Sequence, residues 1–424
     1  MNIRLWRMST LFTMCCLLIL VTGCKDNSHS SQAKGFDIDE DVSFEEDDYE
    51  KIVQANNMLG VDILTSIEPD EQNNRFISPL SLFSALSMAY MGAEGKTKDE
   101  IAETMYMDGY TDEDVQKGHA ALYQLLASMP EEMTLQHANA LWIDHLFSTR
   151  DDYSEILDKY YNATFRSDDF SNDETAAHIN EWIEEQTNGH ITDMVDAPID
   201  EYTVLFLLNT LYFQADWTYP FNPELTQNDT FHTNEEDISV PMMTLSEDLL
   251  YTMQNDYQAV VLPYADGEIS LNVFLPDENS SVEQITDTVQ ELNWKEWHES
   301  LNEEEGTVRL PSFEIDFETT LNAPLQNLGM QQAFQDSAQF PHMITGDNPL
   351  SISNILQKSK IIVDETGTEA ASATSIEMQV TSAPAVPPFH MEVNRPFLFT
   401  ITENTSGIVL FIGTVNNPDT PHEN

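Results

Sequence analysis

The sequence predicts an α+β fold built as one large domain, and three observations lead there. Helical periodicity dominates the early part of the chain and strand patterning the later part. The two do not alternate as β–α–β units and no internal repeat is visible, which disfavours an α/β barrel. Apolar residues make up 41% of 424 positions, ample for a core in a chain of this size. The domain reads from residue 49 to 418, after a leader (1–23) and a tether (24–48), with a tail at 419–424.

The leader has the texture of an export signal. Arg4 and Arg7 form a basic start, and Leu11 to Val21 is an apolar run too short for a permanent membrane span. It ends in Leu20-Val21-Thr22-Gly23-Cys24, which resembles the lipobox of bacterial lipoproteins. The expectation is removal of 1–23, diacylation of Cys24 and an exported protein anchored by lipid, facing the extracellular side. Of three cysteines, Cys15 and Cys16 leave with the leader. The mature domain then has no thiol for a disulfide, a zinc site or a nucleophile.

Charge narrows the partners. Seventy-four acidic against 17 basic residues give −57, although charged residues total only 21%. The chain is short of Lys and Arg rather than overloaded with charge. Such a surface repels nucleic acid and anionic lipid headgroups. Its self-repulsion is relieved by salt, so a saline, halophilic setting is expected. A monomer is expected as well.

From Lys25 to about Glu46 the chain is polar and acidic and reads as a disordered tether. After Tyr49, Ile52, Ala55, Met58, Leu59, Val61 and Leu64 recur at helical spacing. Pro79 after Ser78 opens a largely buried helix through Ala89, ended by Ala93 and Gly95. Ile179 to Ile183 continues a helical pattern that stops at Asn188-Gly189. Strand-like runs follow at Val204 to Leu208, Leu211 to Phe213, Val260 to Pro263 and Leu271 to Pro276. Others lie at Ile361 to Val363, Phe397 to Ile401 and Ile408 to Ile412.

Enzymatic signatures are missing: the chain has no G-x-S-x-G, H-E-x-x-H or G-x-x-x-x-G-K. His137 and His145 flank Trp142, but a spacing of eight without an acidic partner in register reads as structural histidine. No catalytic residue, metal or cofactor is expected.

The informative stretch begins at Glu365. Every second residue from Thr368 reads Thr, Ala370, Ser372, Thr374, Ile376, Met378 and Val380. Interleaved are Glu369, Ala371, Ala373, Ser375, Glu377, Gln379 and Thr381. One face is small and then apolar, the other small or polar: a strand pattern about 46 Å long at about 3.3 Å per residue. Yet Pro384, Pro387 and Pro388 follow, and they suit an exposed extended loop. A plain edge strand with a Pro-rich turn fits this pattern, and so does a segment that switches between loop and strand.

Several segments, in order, resemble the serpin family. They include Asn74-Arg75-Phe76-Ile77-Ser78-Pro79-Leu80-Ser81, Gly92 to Thr97, Ala138-Asn139-Ala140-Leu141-Trp142, and Thr187-Asn188-Gly189 with Ile191. Asn209-Thr210-Leu211-Tyr212-Phe213 through Trp217 and Pro220-Phe221, then Leu310 to Phe313, Leu328-Gly329-Met330 and Ala333-Phe334, continue the series. Asn394 to Phe399, Phe411-Ile412-Gly413 and Asn417-Pro418 complete it.

The resemblance implies about nine helices, three β-sheets and an exposed reactive loop acting as a suicide substrate for a protease. After cleavage that loop inserts into the main sheet as a new strand. Family spacing puts the scissile bond at Thr381–Ser382, with Val380 and Ser382 as alternatives for the specificity position. The hinge would be Glu365, Gly367, Thr368, Glu369, Ala370, Ala371, Ser372, Ala373 and Thr374. Its small residues match the inhibitory members and leave a non-inhibitory binding protein as the second reading. A small neutral specificity residue implies an elastase-like or subtilisin-like serine protease, or a papain-like cysteine protease, rather than a trypsin-like one. The breach would hold Trp217, and the shutter Ser78, Ser81, Asn209 and Gln357. Two positions depart from the family: Thr366 stands where a charged residue is usual, and Gln357 where many members have histidine. Gln both donates and accepts, so an altered but working shutter with Ser78, Ser81 and Asn209 is expected.

Overall fold

In the computed structural model, which describes residues 33–34, 36, 38, 41–45, 47–129, 133–346, 348–368 and 387–418, the periodic stretch after Tyr49 forms the Glu50–Ser66 helix. Its buried positions include Ile52, Ala55, Leu59, Ile63 and Leu64, a stripe of one helical face. The next helix, Pro79–Gly92, is buried on all sides. Ser78 caps it by accepting from Ser81 N, and Pro79 occupies the first turn, where its missing N–H costs nothing. Such an apolar helix needs neighbours all round, and it packs against both the Leu205–Asp216 and the Ile408–Val415 strands.

Among the described residues there are nine α-helices and three sheets. A seven-stranded sheet runs in the order Ala33–Lys34, Met133–Asp144, Leu205–Asp216, Gly367–Thr368, Asn354–Val363 and Phe313–Thr320, with Thr164–Asp168 also paired to Met133–Asp144. A nine-stranded sheet holds the late apolar runs, and Ile269–Pro276 and Ile408–Val415 within it are buried throughout. Ser148–Thr149 and Ile344–Thr345 make a two-stranded piece. Burial on both faces explains the continuous apolar lettering of these strands. Among the described residues no helix is long and apolar enough to cross a membrane.

Two expectations change. The runs at Val204–Leu208 and Leu211–Phe213 are one strand, Leu205–Asp216, because Asn209 and Thr210 between them are also buried. The tether at 24–48 is not disordered along its whole length. Ala33 and Lys34 pair parallel with Leu135 and Gln136. Phe36 is fully buried, while Ile38 and Phe44 pack half-buried on the core. Few apolar residues interrupt the acidic run, and those few have a surface to cover.

Candidate functional site

The site lies in the middle of the seven-stranded sheet, between Leu205–Asp216 and Asn354–Val363. At one end these strands pair in parallel, Phe206–Asn209 against Asn354–Gln357, and their mutual ladder stops there. At the other end Gly367–Thr368 lies between them, Gly367 opposite Asp216 and Thr368 opposite both Ala215 and Val363. The sheet thus has a slot, zipped at its foot and entered at its head by two residues of the hinge. Thr368, where the alternating pattern starts, lies inside the slot.

Small size lets those residues fit. A methyl on Gly367 would run into Ala215 O and the Cα of Asp216. Thr368 is buried and shares a hydrogen bond of 2.8 Å with Tyr264 Oη, either hydroxyl donating. The Tyr264 ring is itself stacked on Trp217 at 4.3 Å. Burial pushes the Tyr264 phenol far above its ordinary pKa, so it stays protonated.

Trp217, the expected breach residue, pins the turn before the insert. Its Nε1 donates to Asp364 O and its backbone N to Thr366 O, both at 2.9 Å. Phe221 N donates to Glu365 O at 2.9 Å, and Thr226 Oγ1 to Glu365 Oε1 at 2.6 Å. Thr366, the uncharged departure, donates from Oγ1 to Asp364 Oδ1 at 2.7 Å, and the backbone N of Thr366 and of Gly367 donate to the same oxygen. Asp216, at the mouth, has its pKa raised, first by desolvation and then by the charge of Asp364.

In the shutter, Gln357 is joined to Ser78. Gln357 Nε2 donates to Ser78 O at 2.8 Å, and Gln357 Oε1 accepts from Ser78 N at 3.1 Å. Both ends of the amide are therefore spent on the residue that caps the buried helix. Asn209, in register with Gln357, has neither Nδ2 nor Oδ1 bonded among the described residues, and Ser81 Oγ is in the same position. Thr210 Oγ1 and Ser359 Oγ, beside the slot, are buried and unbonded there too. A buried polar group left without any partner costs about 1–3 kcal/mol.

A loop absent from the sequence reading crosses over the slot. After the Thr175–Gln186 helix, His190 stacks on Tyr212 of one slot strand at 3.9 Å. Two residues on, Thr192 O accepts from Lys358 Nζ of the other at 3.0 Å. Asn188 and Gly189, read as a helix stop, are both left-handed and start this crossing.

The two histidines do not share a site. His137 is buried and stacks on Phe36. His145 does have acidic neighbours, contrary to the reading from spacing: its Nδ1 lies 3.6 Å from both Asp144 Oδ1 and Asp169 Oδ1. Asp169 arrives from the far end of a separate strand, which spacing does not reveal. Cys24, Glu369 to Thr374, Thr381 and Ser382 lie outside the described residues.

The profile of the family described as Serpin (serine protease inhibitor) matches residues 54–418. The chain belongs to the serpin family. An uncharacterised serpin-like protein of Thermococcus kodakarensis is 33% identical, over 87% of this chain and 86% of its own. Iripin-1 of Ixodes ricinus is 32% identical, over 87% and 95%. The solved structure of the thermophilic serpin tengpin in its native state superposes with a TM-score of 0.79 at 29% identity, covering 90% of this chain and 96% of that one. Serpins are generally protease inhibitors rather than catalysts, which agrees with the lack of an enzymatic signature.

Proposed function

We propose that this serpin is an inhibitor whose reactive loop is cleaved near Thr381–Ser382 and drawn into its own main sheet. The observation that carries the reading is the pair Gly367–Thr368, seated at the head of the slot. If the loop inserted in that antiparallel register, 369–373 would pass between the two slot strands and Thr374 would come opposite both Asn209 and Gln357. Those two residues are the top rung of the parallel zip. Insertion therefore begins in a prepared channel and must unzip the foot from Thr374 onward. The small residues Ala370, Ser372 and Thr374 follow Thr368 on its buried face, so early entry has little steric or desolvation cost.

Chemically, the protease nucleophile adds to the carbonyl carbon of Thr381. The C–N bond to Ser382 breaks, the amine leaves with a proton, and the acyl group stays on the enzyme. Insertion then competes with attack of water on that acyl bond. The neutral Thr381 favours an elastase-like or subtilisin-like serine protease, with a papain-like cysteine protease as the alternative. The Leu20 to Cys24 segment supports a lipid anchor, which places the inhibitor on the extracellular side of a membrane.

The test is a panel of such proteases, read by denaturing gel and by mass spectrometry of the released C-terminal peptide. An SDS-stable complex with a peptide starting at Ser382, or one residue to either side, is the expected result. Cleavage with no complex by any of them would leave the binding-protein reading in its place. For the anchor, Cys24→Ala should abolish acylation; wild-type protein free of fatty acid on Cys24 would refute it.

A further inference from the structure

His145 faces two carboxylates and is hydrogen-bonded to neither. Its Nδ1 lies 3.6 Å from Asp144 Oδ1 and 3.6 Å from Asp169 Oδ1, too far for a hydrogen bond. The donor atoms of the three side chains all lie within 4.8 Å of one another. Nitrogen and oxygen atoms that share a tetrahedral ion at about 2.0–2.2 Å stand about 3.3–3.6 Å apart. Ligands of six-coordinate Mg²⁺ stand closer, at about 2.9 Å, and that ion prefers oxygen to imidazole. The spacing around His145 suits a shared ion of the zinc class.

The side chains are held from outside the cluster. Asp144 ends the Met133–Asp144 strand and is 8% exposed. Its Oδ1 accepts from Leu146 N at 2.9 Å and its Oδ2 from Phe170 N at 3.2 Å. Asp169 Oδ1 accepts from Ser171 N at 3.0 Å and from Ser171 Oγ at 2.6 Å. The Asp169 carbonyl accepts from Thr175 Oγ1, at the start of the next helix, at 2.7 Å. His145 N donates to Asp168 O at 2.8 Å. A carboxylate has about four lone-pair sites, so these bonds leave each of the two with capacity for an ion.

Charge points the same way. Asp168 is in register with Asp144 on the neighbouring strand, which gathers three carboxylates. Among the described residues no Lys or Arg pairs with Asp144, Asp168 or Asp169; their charged neighbours are His145 and His178. Arg166, two residues before Asp168, lies over the rings of Trp142 and Trp182 instead. Like charges held side by side repel, and a divalent ion supplies the counter-charge.

We propose that Asp144, His145 and Asp169 bind one divalent ion of the zinc class, through His145 Nδ1 and an oxygen of each carboxylate, with water on the exposed side. Bound, the ion ties the end of the Met133–Asp144 strand to the turn before the Thr175–Gln186 helix. None of these residues lies in the slot or the hinge, so the site stands or falls apart from the inhibitory reading.

The probes are Zn²⁺ and Co²⁺ added to the full chain. Its 74 acidic residues bind divalent ions loosely, so titrations contain excess Mg²⁺ and about 1 M NaCl, where the Debye length is about 3 Å. Wild type should bind one Zn²⁺ by calorimetry, and Co²⁺ should show the visible absorption of a tetrahedral site. His145→Gln and Asp169→Asn should each weaken Zn²⁺ binding by about tenfold or more and remove the Co²⁺ absorption, with thermal midpoints in EDTA unchanged. His232→Gln is the comparison. That exposed ring lies 2.7 Å from Asp237 but belongs to no three-residue cluster among the described residues, so its loss should leave affinity within about twofold. Binding weakened no more by His145→Gln and Asp169→Asn than by His232→Gln overturns the site. So does a thiolate-to-cobalt charge-transfer band, which puts the ion on cysteine, or a wild type that holds Zn²⁺ no tighter than Mg²⁺, an adventitious ion only.

Discussion

Replacing Thr368 with Arg separates cleavage from insertion. In the uncleaved protein this side chain is 1% exposed and its hydroxyl lies 2.8 Å from Tyr264 Oη. Asp216, the carboxylate at the mouth, is opposite Gly367 and so on the other face of the strand. A guanidinium at 368 would enter a pocket of Tyr264 and Trp217, where the Asp364 carboxylate, whose charge reaches Tyr264, is already engaged by Thr366 and Gly367. Leaving a buried charge without its partner costs about 3–5 kcal/mol. The variant escapes that cost by withdrawing the hinge from the slot, and it must meet it again when the loop enters. If only about 3 kcal/mol of it reaches the insertion barrier, insertion slows roughly a hundredfold, at about 1.4 kcal/mol per tenfold. Attack at Thr381–Ser382 should hardly change.

The assay follows loop cleavage and covalent complex together on denaturing gels, with residual protease activity as a third reading. Cleavage should continue at near the wild-type rate, complex yield should fall at least tenfold, and the protease should stay active. Thr368→Val provides the scale. It keeps the shape and strands the Tyr264 hydroxyl, lowering native stability by about 1–3 kcal/mol while insertion proceeds. If Thr368→Arg traps protease as well as wild type, this hinge is not the route of inhibition.

Asn209→Leu should raise the thermal midpoint of the uncleaved protein, by about 1–2 kcal/mol in stability, because it removes two buried atoms with no partner among the described residues; a lower midpoint would mean Asn209 is satisfied. His119 and His137 are both held near pKa 3 by burial, with His137's charge a lesser influence on His119. The unfolded chain takes up these protons near pH 6.5 and the folded one only near 3. Stability is thus full above about 6.5 and falls as pH drops toward 3, by up to about 1.4 kcal/mol per pH unit for each histidine. His137→Leu should remove about half of that slope in denaturant titrations between pH 6 and 4, and an unchanged slope would refute the assignment. The charge of −57 predicts a thermal midpoint several degrees higher in about 1 M NaCl, where the Debye length is about 3 Å; a flat response would mean the acidic surface needs no screening.

Local chemistry was enough to read much of this molecule. Ser78 and Pro79 announce a helix start, and the apolar runs announce buried strands. Backbone preferences, side-chain size and periodicity act within a few residues, so they show in the lettering. What stayed hidden depends on distant partners. Gln357 was expected to share a shutter with Ser78, Ser81 and Asn209, but that both ends of its amide go to Ser78 depends on the buried cap of another element lying within reach. Asp169 comes to His145 from a separate strand, and Thr192 to Lys358 across the slot. Phe36 is one of two phenylalanines in an acidic run, too few for any period to register. Only the packed domain supplies the cavity that buries it, and only the register of the slot strands shows that their parallel pairing ends at Asn209 and Gln357.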